Sequence, residues 1–338
     1  MSQQLYFRNK ITFLNVCLTI MIVILHAKSP ERFGLHVEEY PFIYGITMLC
    51  WTATPLFFFI SSLLFFKGCT FDDLERKYRS RIKSLLVPYL LWNTIFVSFF
   101  WIMSHVSFLS NKMNIGDILN SPIDIIIAIL NSHHTDLWFV WNLMCYTLLA
   151  PVLLLCFTNK RLSIILLITS IVSALYIEPE YKELLRWFPV YLMGAMSGYY
   201  WNDKYIGYIV REKHSPLFNI CAILLLLISY AFSMYYQTDK YLLYLSPLII
   251  WIIVDGLMYR FICEFKIKEW MGYMFFIFCT HHFFLNVIQK FVVLSCPPTA
   301  DVIYLTYFLS PIVTIIFLIN VGRWLKRFKF YRLLSGGR

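Results

Sequence analysis

Residues 11–27 read ITFLNVCLTIMIVILHA, and the fold turns on this stretch. It holds no Lys, Arg, Asp or Glu. As a helix it would be roughly 25 Å long at 1.5 Å per residue, close to the ~30 Å of a bilayer's hydrocarbon core. Its apolar residues do not alternate with polar ones, so it is no barrel strand. Lipid offers the backbone no hydrogen-bond partners, which leaves a helix. Nine further apolar runs come after it, at 42–66, 84–104, 136–157, 162–178, 184–201, 216–236, 241–258, 270–289 and 301–322. The expectation is an all-α integral membrane protein, a bundle of about ten transmembrane helices.

Composition supports this. Of 338 residues 59% are apolar, 19% aromatic and 14% charged, whereas soluble domains carry ~25% charged residues. A soluble globular enzyme is excluded, because a folded protein in water must cover itself with polar groups. Disorder is excluded too, since it needs low hydrophobicity. No repeat or linker interrupts the pattern, so a single polytopic domain over 1–338 is expected. The first run reads as a retained span, because no small-residue cleavage site comes after it.

The net charge of +10 is spread over short segments between runs. That spread argues for topology signals and contact with membrane lipids, and against nucleic acid. With a cytoplasmic N-terminus and ten spans, 22 of the 29 Lys and Arg fall on the inner side. Both termini are therefore expected to be cytoplasmic, in an inner (plasma) membrane. Trp138, Trp141 and Trp187 fall at outer ends of runs and Trp270 and Trp324 at inner ends, where amphipathic rings gather. The outer segment 105–135 contains an apolar stretch, Ile123 to Leu130, too short to span; it suits an interfacial helix or a folded-back lid. The nine cysteines include no CxxC pair and six lie within apolar runs, so they read as small buried apolar residues.

Ionisable groups at membrane depth are rare here and are functional candidates. His26 ends the first run, ~21 Å from Thr12, and His281 with His282 interrupts the ninth, ~17 Å from Trp270. The two places match in depth, in the outer half of the bilayer. His281 and His282 point ~100° apart on a helix, so at most one should share a pocket with His26. The plainer reading of each histidine is a hydrogen bond between helices. A metal site is disfavoured, because no i,i+4 ligand or carboxylate cluster accompanies them. His133 and His134 sit in an outer loop near the fourth run. On the inner side, FKGCTFDDLERKYRSRIKSLLVPYLLWN, residues 66–93, places Arg76, Arg79 and Lys83 at i, i+3 and i+7, on one helix face. It suits lipid headgroups or a polyanionic ligand whose phosphates pair with guanidinium forks. No GxGxxG motif supports a dinucleotide site.

Several of these segments together resemble the membrane-bound acyltransferase-3 family, whose members O-acylate sugars and cell-surface polysaccharides. FLNVCLTIMIVILHA is similar to the family's opening helix, which ends in histidine. TPLFFFISSLLFFKG resembles its PxFFxISGxL segment, with Ser62 in the usual glycine position. RIKSLLVPYLLWN is similar to its basic helix leading into a PY–W span, and LWFVWNLMCYTLLAP to its LWFLxxL…P span. FPVYLMGAMSG resembles its small-residue span, and FFIFCTHHFF the late segment ending in histidine. The matches keep the family's order and run over nearly the whole chain. Two departures stand out. Asn15 replaces the arginine usual eleven positions before the first histidine, and Trp141 replaces the arginine after LWFL. The late histidine aligns with His281 or His282, of which His281 is preferred.

The resemblance implies an acyl-CoA co-substrate, acetyl-CoA being expected, bound from the cytoplasm near Arg76, Arg79, Arg81, Lys83 and Asn15. Its thioester would reach His26, acting as general base on a sugar or polysaccharide hydroxyl, with His281 positioning the acceptor or the oxyanion. An imidazole suits that role, because a hydroxyl needs a base near neutral pH. No metal is implied. The alternative is a polysaccharide or lipid-linked sugar transporter, a flippase-like protein without acyl transfer, prompted by the two missing arginines.

Overall fold

The computed structural model describes residues 2–104, 121–130, 137–176, 182–212, 216–236 and 240–337. The helices are α1 Gln3–Leu25, α2 Ser29–Arg32, α3 Pro41–Cys50, α4 Ala53–Phe66, α5 Leu74–Arg81 and α6 Val87–Ser104. Next come α7 Pro122–Leu130, α8 Trp138–Leu148, α9 Ala150–Phe157, α10 Lys160–Tyr176, α11 Lys182–Met196 and α12 Asn202–Glu212. The last are α13 Pro216–Tyr235, α14 Lys240–Glu264, α15 Met274–Ser295, α16 Ala300–Leu325 and α17 Tyr331–Leu334. Each apolar run is helical over most of its described residues, and the described residues contain no strand.

Among the described residues, six helical stretches are long and apolar enough to cross a membrane: Gln3–Arg32, Pro41–Phe66, Leu74–Met103, Tyr244–Glu264, Glu269–Ser295 and Ala300–Leu325. A seventh is added if α8 and α9, bent by 54°, count as one span. The sequence led to an expectation of about ten. The expectation also counts α10, which has only 17 residues, α11, which passes into a π-turn at Ser197–Trp201, and α13, Pro216–Tyr235.

Prolines explain the breaks. Pro55 and Pro151 sit in the first turns of α4 and α9 and lack the N–H that would continue the preceding helix. The Thr147 carbonyl, four residues before Pro151, takes a hydrogen bond from the Tyr78 hydroxyl instead, at 3.2 Å. Pro88 works similarly on Ile82–Leu86, which widens into a π-turn; the Val87 N–H reaches back to the Ile82 carbonyl. That extra residue rotates α6 relative to α5, out of the register assumed from an unbroken helix.

The closest packing joins α4 to α11. A Cβ on Gly194 would lie 2.2 Å from the Phe59 carbonyl oxygen and 2.2 Å from Ser62 Oγ, and one on Gly198 would lie 2.4 Å from the Leu63 oxygen. These small residues four apart let backbones touch where lipid supplies no hydrophobic drive. Trp187, expected at the membrane interface, is instead buried, stacked on Phe58 at 5.5 Å. The short apolar stretch Ile123 to Leu130 lies within α7, and Ala128 packs on Val97 of α6.

Lys10 also departs from expectation. Counted as a cytoplasmic charge, it is fully buried. Helix α1 begins earlier than the apolar run, capped by Ser2, and carries Lys10 into the bundle. There its Nζ lies 2.6 Å from Asp255 of α14.

Candidate active site

One face of α1 organises the interior. Thr12, Asn15, Thr19, Ile22 and His26, spaced by three and four residues, fall on a single stripe. The first three border a cavity of about 330 Å³ towards the N-terminal end of α1, the inner cavity. Ile22 and His26 border a cavity of about 260 Å³ towards its C-terminal end, the outer cavity. Asn15 and His26 are separated by ~16 Å along the axis. Helix α1 is thus a rail through both chambers.

The inner cavity is closed by α4, α8, the start of α15 and the end of α5. Among its lining residues are Ser61, Arg81 and Met271. Arg81 donates to the Ser61 carbonyl at 2.8 Å, which fixes its guanidinium at the chamber wall. The outer cavity is the more aromatic of the two, with Tyr44, Trp51 and Trp138 beside the histidines and Glu31. Both chambers share Phe57, Phe139 and Phe278.

The structure brings the two histidine sites together. The ring centroids of His26 and His281 are 5.1 Å apart, and those of His26 and His282 are 5.2 Å apart. His281 lines the cavity with His26, while His282 borders neither chamber. His281 is buried. Its Nδ1 donates to the Phe278 carbonyl at 2.8 Å and the Ile277 carbonyl at 3.2 Å. A carbonyl can only accept, so the proton is on Nδ1 and the lone pair on Nε2. His26 lies just past the last turn of α1.

The remaining sequence candidates separate. Asn15 and Arg81 meet in the inner cavity. Arg76 and Arg79 are exposed and pair with carboxylates of their own segment, Asp73 at 2.6 Å and Glu75 at 2.5 Å. Lys83 is exposed in the π-turn. Hydrogen bonds from Thr70 and the guanidinium of Arg76 hold the Asp73 carboxyl below its ordinary range. His133 and His134 lie outside the described residues.

A family model described as "Acyltransferase domain" matches residues 8–321. The chain belongs to the acyltransferase-3 family. Neither the curated proteins nor the solved structures contain a match to it. The protein is a multi-pass membrane acyltransferase, and family membership does not favour transport without group transfer. For an acyltransferase the two chambers are chemically distinct. One offers a cation and an amide side chain, the other a pair of imidazoles among aromatic rings. Sequence reasoning missed the three shared phenylalanines, which look like any other apolar residue of a spanning helix. One signal was present: Phe278 precedes His281 by three residues and so shares its helix face.

Proposed function

We propose that the protein O-acylates a cell-surface sugar or polysaccharide, taking an acetyl group from acetyl-CoA on the cytoplasmic side. In this reading it crosses the inner membrane ten times with both termini cytoplasmic, as one domain. The donor enters the inner cavity, with Arg81 and Asn15 on its pantetheine and phosphate end. Arg76, Arg79 and Lys83 form a basic apron outside. The acceptor enters the outer cavity, where aromatic rings suit a sugar's apolar face.

The reaction proceeds by direct displacement. The acceptor hydroxyl attacks the thioester carbonyl carbon while His26 removes its proton. The C–S bond breaks, and the CoA sulfur receives the proton from His26, giving ester and free thiol. His281 presents its Nε2 lone pair to a second, neighbouring hydroxyl of the acceptor and so holds the sugar in place. A chamber with little water protects the thioester from hydrolysis.

The observation that supports this most is the single stripe of α1, along which Asn15 and His26 line two successive cavities. Incubating purified protein with radiolabelled acetyl-CoA and extracted glycan tests it. Labelled glycan from the unaltered protein, lost in a folded His26→Ala variant, is expected. Full labelling by that variant would remove His26 from the mechanism.

A further inference from the structure

Between the chambers stand Phe57 of α4, Phe139 of α8 and Phe278 of α15. Their ring centroids form a closed triangle: Phe57–Phe139 5.9 Å, Phe57–Phe278 6.1 Å and Phe139–Phe278 5.8 Å. At such spacings aromatic rings are in contact. Each ring borders both cavities. Each is also only partly buried, although the three meet in the middle of the bundle. The exposed part of each ring therefore faces internal space. The neighbouring Phe58 and Phe59 differ: both are fully packed, against Trp187 and Trp251 respectively. Three rings from three helices, meeting where two cavities abut, do more than fill a core.

We propose that Phe57, Phe139 and Phe278 form an aromatic gate that separates the two chambers and limits the acyl group passed between them to short chains. The chain-length part rests on the acyl-transfer reading above; the partition does not. The rings contribute no polar atom, so water and ions find no partner there. A small acyl group crosses by displacing one ring about its side-chain torsions, with no movement of backbone. A longer chain must hold two or three rings aside. Phe278 has a second consequence. Its carbonyl holds the His281 Nδ1 proton, so the gate and the outer imidazole are built on the same helical turn.

Two measurements test the gate. In the first, Asn15→Cys places a thiol in the inner cavity. Sealed cells are treated with a charged, membrane-impermeant methanethiosulfonate from the face carrying Lys28 and Glu31. Site-resolved mass spectrometry then reads residue 15 itself, which separates its label from any on the native Cys17 two residues on. Little labelling is expected with the three rings intact, and strong labelling once Phe57→Ala or Phe139→Ala is added. Equal labelling with and without the rings overturns the partition.

In the second, purified protein is given acetyl-CoA, butyryl-CoA and hexanoyl-CoA with the same glycan. Phe139→Ala is expected to raise the butyryl-to-acetyl ratio by about tenfold or more, the scale on which hydrophobic sites discriminate methylenes. It should also raise hydrolysis of acetyl-CoA without acceptor, water replacing the sugar hydroxyl and releasing acetate and CoA. Phe139→Trp should move both in the opposite direction. Phe139→Leu keeps an apolar side chain should the alanine variant fold poorly. An unchanged ratio in folded variants overturns the chain-length role. If the unaltered protein acylates nothing, the acyl-transfer reading and its chain-length clause fall, while thiol labelling still decides the partition.

Discussion

Lys10 Nζ lies 2.6 Å from Asp255 Oδ2, and neither side chain touches solvent. The ammonium also donates to the Trp251 carbonyl at 2.9 Å and stands 3.3 Å over the Trp251 ring. Tyr6 and Tyr205 each donate a hydroxyl hydrogen to the Asp255 carboxylate, at 2.6 and 2.7 Å. This network staples α1, the rail through both cavities, to α14 and α12. Removing one charge would strand the other in a medium that cannot solvate it. Lys10→Met or Asp255→Asn should each cost about 3–5 kcal/mol of stability, whereas Lys10→Met with Asp255→Leu should recover much of it. Thermal unfolding in detergent, with size-exclusion profiles, measures this. Additive losses in the double variant would contradict the pairing.

The histidines give a kinetic prediction. His26 borders the outer cavity and not the inner one. His26→Ala should therefore lower kcat by about 10²–10⁴, the range for losing a general base, and leave the donor KM nearly unchanged. His281→Ala should lower kcat and raise the acceptor KM. Steady-state rates with each substrate varied in turn separate these outcomes. A rise in donor KM as the main effect of either substitution would assign it to the wrong chamber.

Helix contact between α4 and α11 depends on a missing side chain. Gly194→Ala would push a methyl to 2.2 Å from the Phe59 carbonyl oxygen, which is backbone and cannot step aside. The expected loss is about 1–3 kcal/mol from overpacking, partly offset by the ~1 kcal/mol by which alanine favours a helix over glycine. Ser62→Gly should not rescue it, because it removes only the second clash, with Ser62 Oγ. Expression and melting temperature of the two single variants and the double variant decide the matter.

The sequence made the helices legible because apolar length is a one-dimensional property. The depths of His26 and His281 were legible too, because a helix rises by a fixed amount per residue. The features that escaped required knowing which elements meet. Lys10 reads as an interface charge until Asp255, 245 residues away, is placed beside it. Trp187 reads as a membrane-interface anchor until Phe58 is stacked on it. The shared phenylalanines escaped because a ring facing a cavity and a ring facing lipid have the same sequence signature. That Arg81, and neither Arg76 nor Arg79, reaches the inner cavity escaped because it depends on α4 bringing Ser61 beside it.

The separation of these three arginines bears on donor binding. Arg76 and Arg79 are about three-quarters exposed and satisfied by nearby carboxylates. Exposed pairs of this kind contribute little and are screened by salt. Arg81 instead lines the inner cavity, its guanidinium anchored on the Ser61 carbonyl. There it meets Asn15, the residue standing where family members carry arginine. One cation on the wall from α5 supplies the charge missing at position 15. A hydrogen bond to a charged group contributes about 1.5–3 kcal/mol, so Arg81→Gln should weaken acyl-CoA binding by roughly tenfold or more. Arg76→Gln and Arg79→Gln should change it by less than about threefold, and that small effect should vanish in high salt. Asn15→Arg should not add to donor affinity while Arg81 is present, since the two charges would repel at one wall. In an Arg81→Gln background the same substitution should restore part of the loss. Titrating acetyl-CoA against each purified variant by calorimetry measures all of these. Stronger effects at Arg76 and Arg79 than at Arg81 would move the donor's phosphates out of the cavity and onto the exposed face of α5.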